Sequence, residues 1–213
     1  MLLCLVGSEM CIRDRYILCL KLAQKRKDIS KKDYLKKIKN LFNLAKLVKH
    51  SLETENKIQS ICSSFVDAKG SMFLGRGYSF PIALEGALKL KELAYVHAEG
   101  YPAGEMKHGP LALIEDGMPV VVIAPRDQHY KKTISNMQEV IARGAKVLLV
   151  TNKSKDEVYS ENIWQTIEVE NTEDDLFPFL VTIPLQKLAY YSALKKGYDI
   201  DKPRNLAKSV TVE

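Results

Sequence analysis

Hydrophobic residues in the second two thirds of the chain form short runs that alternate with helical stretches, a pattern typical of a parallel sheet covered on both faces by helices. Four apolar runs predict strands, at residues 72–74, 119–124, 146–151 and 166–169. Three longer segments with a helical period predict helices, one after Pro81 and the others at 129–143 and 177–196. The sequence therefore predicts an α/β fold, a three-layer αβα sandwich with a mainly parallel sheet, over residues 71–198.

Residues 16–70 have a different pattern, which predicts helices without strands. A first helix ends near residue 26, and Ser30 is expected to cap a second helix whose apolar residues recur with a helical period as far as Val48. A third begins near Ser51, has acidic residues in its first turn, and ends by Gly70. We interpret this region as a helical extension that precedes the sandwich.

The positive charge of the chain is concentrated in one of these helical segments. The net charge is +6, yet residues 21–50 hold eleven Lys or Arg against Asp28 and Asp33. A basic helix of this kind can bind nucleic acid or an acidic membrane surface. Its lysines are spread around the polar face and only Tyr34 and Phe42 interleave with them, so we favour a solvated helix with neither a nucleic acid nor a membrane as its partner.

The cysteines and the first residues place the chain in a reducing compartment. Three of the four cysteines lie in the first twenty residues and none has a spacing that suggests a metal site or a disulfide framework, so a cytoplasmic location is the default.

The apolar run at the start is too short for a signal peptide or a membrane span. The segment LCLVGSEMCIRDR resembles a translated adapter sequence. We therefore expect residues 1–15 to be a non-native leader.

Candidate chemistry gathers in residues 85–110, beginning with a charged strip on the helix that follows Pro81. Glu85, Lys89 and Glu92 recur at helical spacing beside a stripe of small apolar residues. Lys89 and Glu92 are three residues apart, so their side chains are neighbours on one turn. Most such pairs are solvated ion pairs. The functional alternative is a carboxylate base beside a cation that stabilises an oxyanion, which is what proton transfer next to a carbonyl needs.

The rest of this stretch, residues 97–110, is rich in Gly and Pro and predicts a loop, which is where sites are usually built on a rigid scaffold. It holds two histidines. His108 lies between Lys107 and a Gly-Pro turn, which can keep the ring exposed and oriented, so His108 is a candidate acid or base. We assign His97 a structural role.

Two segments also resemble a known family. FLGRGYSFPIALEGALKLKELAYVHAEGYPAGEMKHGPLALI, residues 73–114, and DKPRNLAKSVTVE, residues 201–213, are similar to the C-terminal end of glutamine–fructose-6-phosphate aminotransferase (isomerizing), or glucosamine-6-phosphate synthase. The resemblance extends more loosely over residues 20–213. It implies a sugar isomerase (SIS) fold, residues 16–70 as a linker, a homodimer, and a fragment from which the glutaminase domain and the first SIS subdomain are missing.

The resemblance also assigns roles in the conversion of fructose 6-phosphate and ammonia to glucosamine 6-phosphate. It implies that the tail of residues 199–213 folds over the sugar site, that Lys208 forms the imine, and that Ala207 contacts the substrate. Glu92 is then the base for the proton shift, Lys89 its electrostatic partner, and His108, from the neighbouring subunit, the ring-opening group. No metal and no cofactor is expected. An alternative within the same fold is a sugar-phosphate-binding module, regulatory or a deglycase, without synthase activity.

Overall fold

A five-stranded, fully parallel sheet forms the centre of the fold in the computed structural model, which describes residues 2–153, 162–202 and 204. The strand order is β2-β1-β3-β4-β5. Each central strand is a short apolar run whose residues are buried on both faces, as the hydrophobic pattern predicts. The strands are β1 Ser71–Gly75, β2 Ala98–Pro102, β3 Pro119–Ile123, β4 Lys146–Asn152 and β5 Gln165–Val169.

Helices precede and connect these strands. They are α1 Leu2–Lys25, α2 Lys31–Ser51, α3 Glu55–Val66, α4 Ser79–Ala94, α5 Tyr130–Ile141 and α6 Phe177–Lys195, with short 3₁₀ helices at Leu52–Thr54, Ala103–His108 and Pro110–Leu113. Because strands and helices alternate from Ser71 onward, and the sheet is parallel, the predicted fold class is confirmed.

The chain divides into two compact units, residues 1–49 and 50–213. In the first unit, α2 begins as predicted: the Asp33 backbone N–H donates to Ser30 Oγ at 3.0 Å, and Ser30 Oγ donates to the Asp33 carboxylate at 2.6 Å. α1 runs through residues 2–25 as one helix. A helix does not show whether residues 1–15 belong to the natural protein, so the non-native leader stays a prediction.

In the second unit, alternate residues of the strands pack against different helices, which gives the three layers. Met72 and Leu74 of β1 belong to an apolar cluster with Met137 and Val140 of α5 on one face. Phe73 points to the other face, where it lies against Gly86 of α4. α6 packs against both α3 and α4 on that face.

The prediction of a loop throughout residues 97–110 is wrong, because Ala98–Pro102 is the edge strand β2 and most of the rest is 3₁₀ helix. The segment AEGYP has no β-branched residue and contains Gly100, so its local sequence gives no strand signal. Backbone pairing with β1, from Ser71 opposite Ala98 to Gly75 opposite Pro102, makes it a strand. Tertiary context here overrides local propensity.

Gly100 is required where β2 meets α4. A Cβ atom at this position would lie 2.9 Å from the Leu84 backbone N and Cα. We therefore expect Gly100→Ala to lower the free energy of unfolding by about 1–3 kcal/mol, the usual cost of overpacking. Urea denaturation monitored by circular dichroism measures this change.

The matched control is the double variant with Leu84→Ala added. Since the clash involves backbone atoms of residue 84, shortening its half-exposed side chain should not restore stability. Full recovery in the double variant would show that the side chain, and not the close approach of the two backbones, sets the requirement for glycine.

Candidate active site

A buried lysine held between two glutamates is the most distinctive charged cluster on α4. Lys89 Nζ lies 2.8 Å from Glu92 Oε2 and 3.6 Å from Glu85 Oε1. Lys89 is only 8% exposed, and about a quarter of each glutamate side chain is accessible. The predicted neighbour pair therefore exists, and Glu85 joins it from the preceding turn. Burial to this degree distinguishes the cluster from an ordinary solvated ion pair.

The electrostatics of the cluster keep Lys89 charged. Burial acts to lower the pKa of Lys89, but the hydrogen bond to Glu92 and the charges of Glu85 and Glu92 outweigh it, so the pKa lies above its usual value. Lys89 is thus a fixed cation at neutral pH. Glu85 Oε1 is itself buried and accepts no hydrogen bond from any described residue.

The local sequence explains why charge is buried here. The small apolar stripe of Ala83, Ala87, Leu90 and Ala94 is fully buried against the body of the domain. Glu85, Lys89 and Glu92 lie on the flank of that stripe, one helical strip away. Because small residues draw α4 close to its neighbours, the flanking charged side chains are partly enclosed as well. The cluster is therefore positioned by a rigid helix and not by a loop.

His108 lies at the end of the 3₁₀ helix that follows β2, and its environment differs from that of Lys89. Its side chain is 74% exposed, and its Nδ1 lies 2.7 Å from Glu105 Oε2. The other histidine of this stretch, His97, is also exposed, with Nε2 3.4 Å from Glu99 Oε1. The structure thus presents His108 on the surface.

The topology places Glu92 near the amino ends of the strands and His108 beyond their carboxyl ends. β1 and β2 are parallel, so α4 must run antiparallel to both in order to connect them. The helix starts at the carboxyl edge and reaches Glu92 13 residues later, about 20 Å along its axis. His108 follows the carboxyl end of β2. Within one chain, therefore, the two predicted catalytic residues are not brought together.

Lys208 and Ala207 lie outside the described residues, so their predicted roles stay predictions. The described start of the tail does make a contact that the sequence did not reveal. The Arg204 backbone N–H donates to the Tyr95 hydroxyl at 2.6 Å, and the Arg204 guanidinium lies 4.1 Å from the centre of the Tyr95 ring. Tyr95 is the residue that ends α4. More than a hundred residues separate these partners, and no local pattern predicts such a contact.

One cavity, of about 380 Å³, opens at the amino edge of the sheet on the side of α5. Its lining includes Lys69, Ser71, His97 and Glu99, but not Lys89, Glu92 or His108.

In the described ranges no three His, Cys, Asp or Glu side chains are grouped so as to hold a metal ion. Among the helices of those ranges, none combines the length and hydropathy needed to span a bilayer.

Comparison with known proteins shows where this architecture belongs. The SIS domain model matches residues 64–196, which is more than half of the chain. The chain belongs to the SIS domain family. A solved member of the family, the C-terminal domain of glucosamine-fructose-6-phosphate aminotransferase from Francisella tularensis, superposes with a TM-score of 0.82 at 43% identity, over 86% of this chain and 51% of that one.

Curated relatives of this SIS chain are named glutamine–fructose-6-phosphate aminotransferase (isomerizing). The relative from Bacteroides thetaiotaomicron is 49% identical over 92% of this chain and 32% of its own length. The relative from Aquifex aeolicus is 50% identical over 83% of this chain and 30% of its own length. The chain thus spans about a third of the curated relatives that it matches.

Proposed function

We propose that this SIS chain is the C-terminal part of the isomerase domain of a glucosamine-6-phosphate synthase, which converts fructose 6-phosphate and glutamine-derived ammonia to glucosamine 6-phosphate in the cytoplasm. Similarity to relatives of that name over most of this chain supports the assignment. The observation that carries it is the buried cluster in which Lys89 Nζ contacts Glu92 at 2.8 Å. A carboxylate and a fixed cation on one rigid helix are the groups that a proton shift between C1 and C2 requires.

In the proposed reaction Glu92 moves the proton. The carboxylate takes a proton from C1 and returns it to C2, while the ammonium of Lys89 stabilises the negative charge that develops on the C1 oxygen as the C1 hydroxyl becomes the aldehyde. The raised pKa of Lys89 supports this role because the side chain stays charged throughout. Glu85 supports the arrangement from the preceding turn, 3.6 Å from Lys89 Nζ.

The remaining roles belong to two residues of the tail and to the exposed histidine, His108. Lys208 attacks the C2 carbonyl of the open-chain ketose and forms an imine with loss of water; ammonia then displaces the lysine amine, and the resulting C2 imine makes the protons on C1 more acidic. Ala207 contacts the sugar. His108 opens the ring. His108 and Glu92 lie at opposite ends of the strands of one sheet. His108 therefore serves the site of a second copy of the chain, and the active form is a homodimer.

This 213-residue chain is expected to show no synthase activity by itself. Each hydrogen bond to a phosphate contributes about 1.5–3 kcal/mol, and tight binding of a sugar phosphate needs several of them. We assign those groups to the part of the relatives that lies outside the match. The test compares the chain with an extended chain, meaning residues 16–213 preceded by the upstream sequence of the Bacteroides thetaiotaomicron relative.

Glucosamine 6-phosphate formation from fructose 6-phosphate and ammonia is the measurement. The extended chain should form product and the 213-residue chain should not. Product from the chain alone would show that its own residues bind the phosphate. An extended chain that folds and binds fructose 6-phosphate but forms no product would overturn the proposed function.

A further inference from the structure

His108 belongs to a 3₁₀ helix, Ala103–His108, whose three sides have different surroundings. With three residues per turn, residues i and i+3 of such a helix lie on the same side. Ala103 and Met106 form one side and are fully buried. Glu105 and His108 form another, and 61% and 74% of their side chains are exposed. The helix therefore places Glu105 and His108 next to each other on a side that faces outward.

The third side of this helix, Gly104 and Lys107, contacts two other elements. The guanidinium of Arg76, from the loop after β1, occupies the space that a Cβ atom at Gly104 would fill. Lys107 Nζ lies 3.0 Å from Glu139 Oε1 of α5, and the Glu139 side chain is only 22% exposed. One side of the helix is thus buried and another is held by its neighbours. The orientation of the outward side is set by these contacts.

Glu105 contacts one particular nitrogen of the His108 ring. Its Oε2 atom lies 2.7 Å from Nδ1, a normal hydrogen-bond distance. A glutamate carboxylate is an acceptor only, so the proton of this hydrogen bond is on Nδ1. In the neutral ring Nε2 then carries the lone pair, because the hydrogen bond of one nitrogen sets the state of the other. A free neutral histidine prefers the proton on Nε2, so Glu105 reverses the ordinary preference.

We propose that Glu105 is a positioning residue that holds His108 with Nε2 as the free base for opening the sugar ring. This inference rests on the proposed function in so far as His108 opens the ring. Nε2 takes the proton of the C2 hydroxyl of the cyclic ketose, the C2 oxygen becomes a carbonyl, the C2–O5 bond breaks, and the proton passes from Nε2 to O5. The Glu105 carboxylate accepts from Nδ1–H throughout and stabilises the imidazolium that exists between the two transfers.

The first test needs no activity and uses the 213-residue chain. Long-range proton–nitrogen NMR correlations, recorded at an alkaline pH where imidazole is neutral, distinguish the Nδ1–H from the Nε2–H tautomer. The chain has four histidines, and the signals that disappear in His108→Gln assign His108. We expect His108 to be the Nδ1–H tautomer in the parent and mainly the Nε2–H tautomer in Glu105→Ala. An Nε2–H tautomer in the parent would overturn the proposal.

The second test separates ring opening from the later steps in the extended chain. The analogue 5-deoxyfructose 6-phosphate lacks the hydroxyl on C5, stays open-chain, and needs no ring opening. Glu105→Gln should lower kcat/KM for fructose 6-phosphate about tenfold, between the effect of an exposed charge pair and that of losing a base. The rate with the analogue should stay at the parental level. Glu105→Asp keeps the charge and should recover part of the loss.

Two further variants complete the design. His108→Gln should show the same selectivity between the two substrates, with a larger loss of about 10²–10⁴-fold for fructose 6-phosphate. Glu99→Gln is the matched control, because Glu99 Oε1 lies 3.4 Å from Nε2 of the other histidine of this segment, His97. It should change neither the tautomer of His108 nor the ratio of the two rates. Equal losses with both substrates in Glu105→Gln, as a merely structural role would give, would overturn the proposal.

Failure of this proposal and failure of the proposed function give different results. If the extended chain forms no product from either substrate while His108 keeps the Nδ1–H tautomer, the proposed function fails and the NMR result still supports the orienting contact with Glu105. If product forms and Glu105→Gln behaves like the parent with both substrates, the proposed function stands and the positioning role is overturned.

Discussion

Replacing Glu92 with Gln in the extended chain is expected to lower the rate of glucosamine 6-phosphate formation about 10²–10⁴-fold, the contribution usual for a general acid or base. The amide has nearly the shape of the carboxylate and can still contact Lys89 Nζ, which lies 2.8 Å from the native oxygen. It cannot accept the proton, so kcat should carry the loss and KM should change little. Steady-state kinetics with fructose 6-phosphate and ammonia measure both parameters.

Glu85→Gln is the matched control for this prediction. Glu85 is on the same helix and also pairs with Lys89, but at 3.6 Å. Because we assign it a supporting role, its substitution should cost less than about tenfold, the effect of a weakened ion pair of about 1 kcal/mol. If Glu85→Gln loses as much activity as Glu92→Gln, the assignment of the base to Glu92 is wrong.

Mixing Glu92→Gln with His108→Gln subunits should recover part of the activity if His108 acts across a dimer.

Lys208→Ala is expected to abolish the covalent adduct that borohydride traps between fructose 6-phosphate and the extended chain. An imine requires a primary amine, which alanine lacks. The fold should remain intact because a residue of the terminal tail contributes little to the core. Mass spectrometry after reduction locates the adduct, and circular dichroism checks the fold.

A second lysine of the tail provides the comparison. Lys202 is exposed and lies six residues before Lys208, so Lys202→Ala should leave the adduct at its parental level. A reduced adduct that persists in Lys208→Ala would move the imine to another lysine. Loss of the adduct in both variants would point instead to a general effect of tail charge on sugar binding.

Much of the central sheet could be predicted because β1, β3 and β4 are short apolar runs bounded by turn residues. The predicted strand at residues 119–124 is observed as β3 over Pro119–Ile123, and the predicted helix at 177–196 is observed as α6 over Phe177–Lys195. The contact of Lys89 with Glu92 also follows from helical spacing alone. These features depend on local periodicity, which a single sequence records directly.

Features that depend on distant contacts escaped prediction. β2 exists because β1 offers a free edge and because Gly100 lets the backbone of α4 approach, neither of which is visible in the segment AEGYP. The hydrogen bond between Arg204 and Tyr95 joins residues that are more than a hundred positions apart. The small residues of α4 favour close packing, but the degree to which Lys89 is buried depends on the elements that pack against the helix. In each case the deciding neighbour is elsewhere in the chain.

The close contact between α4 and β2 at Gly100 also limits how the domain can move. Packed helices commonly adapt to a ligand by small sliding displacements along a sheet. Here the backbone of Leu84 lies close to Gly100, so a displacement of α4 toward β2 would bring main-chain atoms into contact. We therefore expect Glu85, Lys89 and Glu92, on the same helix, to move little relative to β2. Proton transfer benefits from this stiffness, since a misplacement of about 1 Å can cost a hundredfold in rate.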